Sequence, residues 1–409
     1  MIDEAVAGVD GRDFRMLWGG QTCSVFGTAI SALALPSVAI LTLHATPLQI
    51  GILGAVEFLP FPLFGLAVGV LADRMRKRRM MIVADAVRAV ALASIPLAAA
   101  AHALVFAQLL VVAAVMGIGG VFFDVCYQSY LPSLVDRGAL TSANARLEFT
   151  RSAAQVGGSG VAGFLIAAAG AARAIGVDAA TYIISIGTLL GIRRHEPAAT
   201  PRGAHANFIV ELREGLAVVL GSPILRALAA SVGLGNLGAS MVGAVLLLYA
   251  YRTLHLNAAV VGVTLGFANV GYLGALLAAP AVRRFGFGTT LVATTAAFAA
   301  APFLLPLAMH GAPIAVLFLV ELIATICIPI FNINQLSFRQ GLVAAELQGR
   351  MNATMRTFVW GTIPLGSFLG GALASKVGIV PTILAGASVG SLAILPLLRR
   401  EIFAVGRAG

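Results

Sequence analysis

Two carboxylic acids sit inside apolar runs of membrane length. Glu57 lies about nine residues into a run at 48–72, roughly 14 Å of helix, and Glu321 holds the same depth in a run at 312–336. Neither has a Lys or Arg one turn away in its own segment. Ionisable groups at such depth mark proton relays and substrate paths, so both are candidate proton carriers. The plainer alternative is a structural acid that only donates a hydrogen bond. Glu321 shares its helical face with Thr325, Ile328 and Asn332. Nearer the N-terminus, Gln21, Ser24, Thr28 and Ser31 recur at spacings of three, four and three, one polar stripe on a helix. That stripe suits either helix–helix hydrogen bonding or the wall of a substrate cavity. Asn236 with Ser240, and Asn269 with Tyr272, are further candidates for substrate hydrogen bonds.

Other chemistry is excluded by what the chain lacks. No Walker loop, HExxH, CxxC or Ser–His motif occurs, and the six histidines are scattered through loops and helix ends. Cys23, Cys126 and Cys327 are far apart and read as small buried hydrophobes. No metal, no cofactor and no enzymatic activity are expected. Arg146, Glu148 and Arg151 open the run at 143–169, with Ser152, Gln155 and Ser159 continuing the face of Glu148. Arg151 reads mainly as a side chain that snorkels to the surface. An arginine pair of the kind a phosphate or dicarboxylate site needs is not expected.

The elements that must hold these residues follow from composition. Of 409 residues 59% are hydrophobic and 11% charged, against about 25% charged in soluble domains. Lipid must replace water around most of the chain. Twelve apolar runs are long enough to cross a bilayer: 16–43, 48–72, 80–100, 104–128, 143–169, 174–192, 222–251, 257–281, 288–308, 312–336, 350–375 and 380–398. They must be helices, since backbone polar groups in lipid pair internally. The first residues are polar and acidic, unlike a signal peptide, so the first run is read as retained. The fold class is therefore all-α integral membrane, in two six-helix bundles at 1–192 and 222–409. A cytoplasmic linker at 193–221, ending in a short amphipathic helix, joins them.

The formal charge of +10 reads as topology rather than nucleic-acid binding. Both termini and the gaps after the even-numbered runs hold 22 of the 27 Lys and Arg, which places both termini in the cytoplasm. The halves repeat one plan. At an offset of 208 residues Asp124 falls on Asn332 and Asn144 on Asn352, and Gly158, Gly163 and Gly170 fall on Gly366, Gly371 and Gly378. Internal repeats in membrane chains of this size point to a secondary transporter with a central site.

The densest charge is at 69–79, GVLADRMRKRR. Gly69, Asp73, Arg74, Lys77 and Arg78, with Asp85 and Arg88 three apart and Asp124 ending the run at 104–128, form a candidate cytoplasmic gating network. Such a network forms in one state of a moving bundle and breaks in another. It serves equally as an anchor for anionic lipid heads.

The spacing Gly-x-x-x-Asp-Arg-x-x-Lys-Arg from Gly69 to Arg78, followed by Asp85 and Arg88, resembles the loop between helices 2 and 3 of the major facilitator superfamily, with Arg76 where that family usually has glycine. Phe14–Pro36, Val56–Arg74 and Leu347–Arg356 are similar to its branch of macrolide exporters and enterobactin-type exporters. The resemblance implies a twelve-helix transporter working by alternating access, with helices 1, 4, 7 and 10 lining the cavity. The Gln21–Ser31 stripe and Glu321 would then face it, and Glu57 would be a gate or edge residue. The corresponding loop at Ala279–Gly288 keeps Arg283 and Arg284 but has no acid matching Asp73, and Gly157–Phe164 lacks the proline common in drug antiporters. The implied activity is proton-driven export of an amphipathic small molecule across the plasma membrane by a monomer, with lipid, substrate and protons as partners. A metabolite permease or importer of the same fold, and a membrane scaffold that transports nothing, are the competing expectations.

Overall fold

The computed structural model describes residues 11–136, 139–194, 216–343 and 345–404. Every regular element among them is helical. Twelve helices are long and apolar enough to cross a membrane. They are α1 (Arg12–Thr42), α2 (Pro47–Phe58 and Pro60–Arg74), α3 (Lys77–Ala100), α4 (Phe106–Leu134), α5 (Leu140–Ala169), α6 (Ala171–Gly191), α7 (Pro223–Thr253), α8 (Ala258–Phe285), α9 (Phe287–His310), α10 (Pro313–Leu342), α11 (Ala345–Val377) and α12 (Ile379–Leu398). A short α13 (Arg400–Ala404) follows. Large apolar side chains face outward, Val90 at 73% exposure and Leu276 at 76%. Such faces are stable only against lipid. The chain is a multi-pass integral membrane protein.

Several helices outrun their apolar stretches. α4 reaches Leu134 and α10 reaches Leu342, where hydropathy alone ends them at 128 and 336. Polar side chains on the added turns bond their own backbone, as Ser129 does to Val125 O and Ser133 to Tyr130 O. These turns carry residues that hydropathy assigns to loops. Most of the linker expected at 193–221 lies outside the described residues; residues 216–221 are helical.

The helices gather into two compact units. Unit 1 comprises the described parts of Met1–Ala45, Leu63–Ala204 and Asn257–Gly266. In it α1 packs along α6 and α5, and α3 packs on α6 and α4. Its largest buried side chains include Phe14, Leu17, Met81 and Tyr130. Arg78, within the basic segment, donates from Nε to Leu189 O at 2.7 Å and from Nη2 to Leu190 O at 2.8 Å. The guanidinium thus bonds two carbonyls at the end of α6, one of which, Leu189 O, also accepts from Ile192 N–H at 3.3 Å, and a cation there suits the helix dipole.

Unit 2 comprises the described parts of Thr46–Pro62, His205–Leu256 and Phe267–Gly409. In it α7 packs on α11 and α12, and α10 on α8 and α9. Its core is built from Leu228, Leu291, Met351, Met355 and Ile402. The first half of α2 packs on α11 within this unit, and the start of α8 packs on α5 within unit 1.

Backbone geometry repeats as the sequence does. α1 and α7 each end in a π-helical turn, Val38–Thr42 and Tyr249–Thr253. A left-handed histidine follows each, His44 at φ 50° and His255 at φ 54°. Gly170 and Gly378, 208 positions apart, both take positive φ at the helix junctions after α5 and α11. Close glycine seams repeat too. A Cβ on Gly371 would lie 2.6 Å from Pro47 O and 2.7 Å from the Cα of Gly51. A Cβ on Gly163 would lie 2.6 Å from Ala258 O and 2.7 Å from the Cα of Gly262. Only glycine permits such backbone approach.

Candidate functional site

Unit 1 is filled by charge. Asp85 and Arg88, one turn apart on α3, form a buried ion pair. Ser185 of α6 donates to Asp85 Oδ2 at 2.7 Å, and Arg88 Nη1 donates to the Tyr182 hydroxyl at 3.4 Å. The guanidinium lies 4.4 Å from the Tyr182 ring centroid and 4.9 Å from that of Phe123 on α4. Gly119 makes room, since a Cβ there would meet the Arg88 stem at 2.7 Å. On the other side of Tyr182, Asp178 accepts from Ser31 at 2.5 Å and from Thr181 at 3.1 Å. Thr28 shares a hydrogen bond with the Tyr182 hydroxyl at 3.1 Å. Asp85, Asp178 and Tyr182 are fully buried.

Asp178 thus lies within the packing of α1 on α6. Asp85 and Arg88 lie two to three turns into α3 and bond to Ser185 and Tyr182 of α6. Asp124 lies close enough for its charge to act on Arg88. The side chains of Gly69, Asp73 and Arg74 lie outside the described residues, so the expected network is described only at Lys77, Arg78, Asp85, Arg88 and Asp124. Of the α1 stripe, Thr28 and Ser31 are spent on α6, Ser24 is buried, and Gln21 lines a cavity.

Unit 2 is hollow where unit 1 is filled. Gly386 and Gly390 stand 208 positions after Asp178 and Tyr182. Around them α7, α9, α10 and α12 leave two adjoining cavities of about 220 and 260 Å³. Gly235, Ala239, Phe298, Ile328 and Gly390 line both. The first adds Asn236, Thr294, Thr295 and Asn332; the second adds Glu321. α9 thus offers hydroxyls and a phenyl ring where α3 offers an ion pair. The walls are mainly apolar, with one half-buried carboxyl, so the space suits a lipophilic body with one polar or cationic group.

Other expected residues are placed differently. Thr325 is buried and donates to Ala268 O at 2.7 Å. It satisfies a carbonyl at the point where α8 passes into the 3₁₀ stretch Asn269–Leu277, against which Gly271 and Gly274 bring α10 close. Tyr272 and Asn269 lie in that stretch, half-buried. Asn236 donates to Val359 O at 3.2 Å while still lining a cavity. Ser240 packs against Gly366 of α11. Glu57 is half-buried, one residue from the end of the first half of α2, and belongs to unit 2.

Two further pockets were not expected. One, of about 630 Å³ in unit 1, is lined by Gln21, Tyr127, Gln128, Asn144, Glu148 and Arg151 among others. Arg151, read as a snorkelling side chain, faces this space beside Glu148. The other, of about 280 Å³ in unit 2, is lined by Gln335, Arg339, Asn352, Met355, Arg356, Val359 and neighbours. Tyr127, Asn144, Leu147, Glu148 and Arg151 of the first stand 208 positions before Gln335, Asn352, Met355, Arg356 and Val359 of the second. Arg339 with Arg356 corrects the expectation that no arginine pair occurs. The signal was present as two arginines flanking the α10–α11 turn, but hydropathy placed the first in a loop.

Over residues 4–405 the chain matches the family described as transmembrane secretion effector, of the major facilitator type. The chain belongs to this family. Its members are transporters, not enzymes. Curated relatives include macrolide efflux protein A of Streptococcus pyogenes, 27% identical over 207 residues, which cover 50% of this chain and 51% of that protein. The multidrug efflux pump Tap of Mycolicibacterium fortuitum is 26% identical over 210 residues, 50% of this chain and 51% of the relative. The chain thus spans about half the length of the curated relatives it matches. Among solved structures, an inward-facing bacterial homologue of the iron transporter ferroportin aligns at TM-score 0.72 and 17% identity, over 95% of this chain and 99% of that one. A D-xylose–proton symporter aligns at TM-score 0.72 and 14% identity, over 95% and 97%. At such identities these two establish the twelve-helix, two-bundle secondary-transporter fold and nothing of the cargo.

Proposed function

We propose that this family member exports an amphipathic small molecule by alternating access, in exchange for protons. The relatives' names, macrolide efflux and multidrug efflux, support this direction. The observation that carries the reading is the pair of adjoining apolar cavities in unit 2, with Glu321 in the wall and open space at Gly390, where unit 1 has Tyr182. A lipophilic body fills the hollow, and its polar or cationic group meets Glu321, Asn236 or Asn332. Glu321 holds a proton when the cavity is empty and gives it up to the cytoplasm as cargo enters. Glu57 is the second candidate carrier. Both termini are cytoplasmic in this scheme, as the distribution of Lys and Arg favours.

Inverted membrane vesicles acidified inside test it, with a macrolide and the lipophilic cation tetraphenylphosphonium as probes. Adding a transported probe should collapse the pH gradient. Glu321→Gln should still bind the probe but abolish the collapse. Gly390→Phe should abolish binding itself, because space around Gly390 is open and a phenyl ring would occupy it. Probe uptake without proton movement would refute antiport, and unchanged binding by Gly390→Phe would remove the cavity from the path.

A further inference from the structure

The pocket of unit 2 at the α10–α11 turn holds one unmet donor, two unmet amide oxygens and a charge that no described residue lining it balances. Arg339, in the last turn of α10, is only 8% exposed, and its Nε has no hydrogen-bond partner among the described residues. Gln335, one turn earlier, is 7% exposed with Oε1 likewise unpartnered, as is Oδ1 of Asn352 across the pocket on α11. Arg356, one turn beyond Asn352, lines the same space, with its guanidinium 5.9 Å from the Trp360 ring centroid. No acid lines this pocket among the described residues.

Its counterpart in unit 1 makes the contrast sharp. There Glu148 stands at the position of Arg356, Leu131 at that of Arg339, and Arg151 at that of Val359. The unit 1 pocket carries one acid and one base; the unit 2 pocket carries two arginines. A buried guanidinium left without an anion is costly, and the cost is offset when a counter-charge accepts its hydrogen bonds. The C-terminal dipole of α10 favours a cation at Arg339 but leaves its Nε–H unbonded.

We infer that this pocket binds an oxyanion, a carboxylate or phosphate group, held by Arg339 and Arg356, with the amides of Gln335 and Asn352 rotated so that each turns its NH2 rather than its unpartnered oxygen toward the group. The planar guanidinium fork matches such a group through two parallel N–H···O bonds. A volume of about 280 Å³ admits such a group with room for what it is attached to. Asn332 and Val232 also line the neighbouring apolar cavity, so an anion with a short apolar tail reaches from one space into the other. The anion is either a free solute or the headgroup of an acidic lipid. The site is independent of whether Glu321 carries protons.

Thermal unfolding of the full chain in nanodiscs tests the inference in three arms. Phosphatidylcholine discs are titrated with sodium phosphate or with sodium benzoate, at ionic strength held constant with chloride. A third series replaces phosphatidylcholine stepwise by phosphatidylglycerol. At least one arm should give a saturable rise in Tm whose midpoint shifts at least tenfold in Arg339→Gln and in Arg356→Gln, with Arg339→Lys between. A response to phosphate or benzoate identifies a soluble anion; a response to phosphatidylglycerol alone identifies a headgroup. Arg356 is exposed, so its variant carries the test should Arg339→Gln fail to fold. The inference is overturned if no arm saturates, or if both arginine variants titrate as the wild type does.

Discussion

Arg88 reaches Asp85 and Tyr182 because Gly119 offers its stem a path across α4. Every donor and acceptor in that cluster was visible in the sequence, but the spacing revealed only the Asp85–Arg88 pair, three apart on one helix. The bonds of Ser31 to Asp178 and of Ser185 to Asp85 link residues 147 and 100 positions apart. No local pattern specifies such pairs. The energetics are asymmetric. Removing one partner of a buried ion pair costs about 3–5 kcal/mol, because the other charge stays buried, while replacing both by apolar groups is often neutral. Arg88→Ala should therefore lower the unfolding temperature in detergent by many degrees. The double replacement Asp85→Leu with Arg88→Met should regain most of that loss, and a thermal-unfolding double-mutant cycle measures the difference. A cluster that serves as a gate rather than as filler would give the opposite result for transport: the stable double variant would be inactive.

At the scale of helices, the glycine seams are where the repeated plan is under the tightest constraint. The Gly51–Gly371 seam lies within unit 2 and the Gly163–Gly262 seam within unit 1. A single methyl at Gly371 or Gly163 meets backbone atoms, which cannot rotate away as a side-chain tip can. Overpacking of this kind costs about 1–3 kcal/mol. Gly371→Ala and Gly163→Ala should each lower the unfolding temperature by a few degrees. The double variant should show the sum, since the two seams share no partner. Gly187, with open space around it, should tolerate alanine. The twelve helices themselves were legible because lipid imposes one rule on every residue of a span. Their ends were not, because a helix leaving the hydrocarbon can continue for as long as polar side chains and water satisfy it. Arg339 was lost to a loop for that reason, and with it the arginine pair.

Across the whole molecule, one plan has been finished in two ways. The shared offset of 208 positions, the paired π-turns of α1 and α7 and the paired seams show that both units inherit the same helix contacts. What differs is the filling. Unit 1 closes its interior with Asp178, Tyr182 and the Asp85–Arg88 pair, and unit 2 leaves glycine at the two positions matching Asp178 and Tyr182. The difference is legible in the sequence at the same offset of 208, where Asp178 and Tyr182 of α6 fall on Gly386 and Gly390 of α12. Its physical consequence is a difference in local stability. A helix that borders empty space on one face, as α12 does at Gly390, opens more readily than one packed all round, and its amides exchange faster. In hydrogen exchange on the full chain in nanodiscs, the amides around Gly386–Gly390 should exchange at least tenfold faster than those around Asp178–Tyr182. Gly390→Phe should slow the former and leave the latter unchanged, since the added ring supplies the missing contacts. A bound lipophilic cation should slow the same α12 amides in the wild type but not in Gly390→Phe. Equal protection of the two segments in the free protein would mean that the hollow of unit 2 is already closed in solution, and that cargo must be held elsewhere.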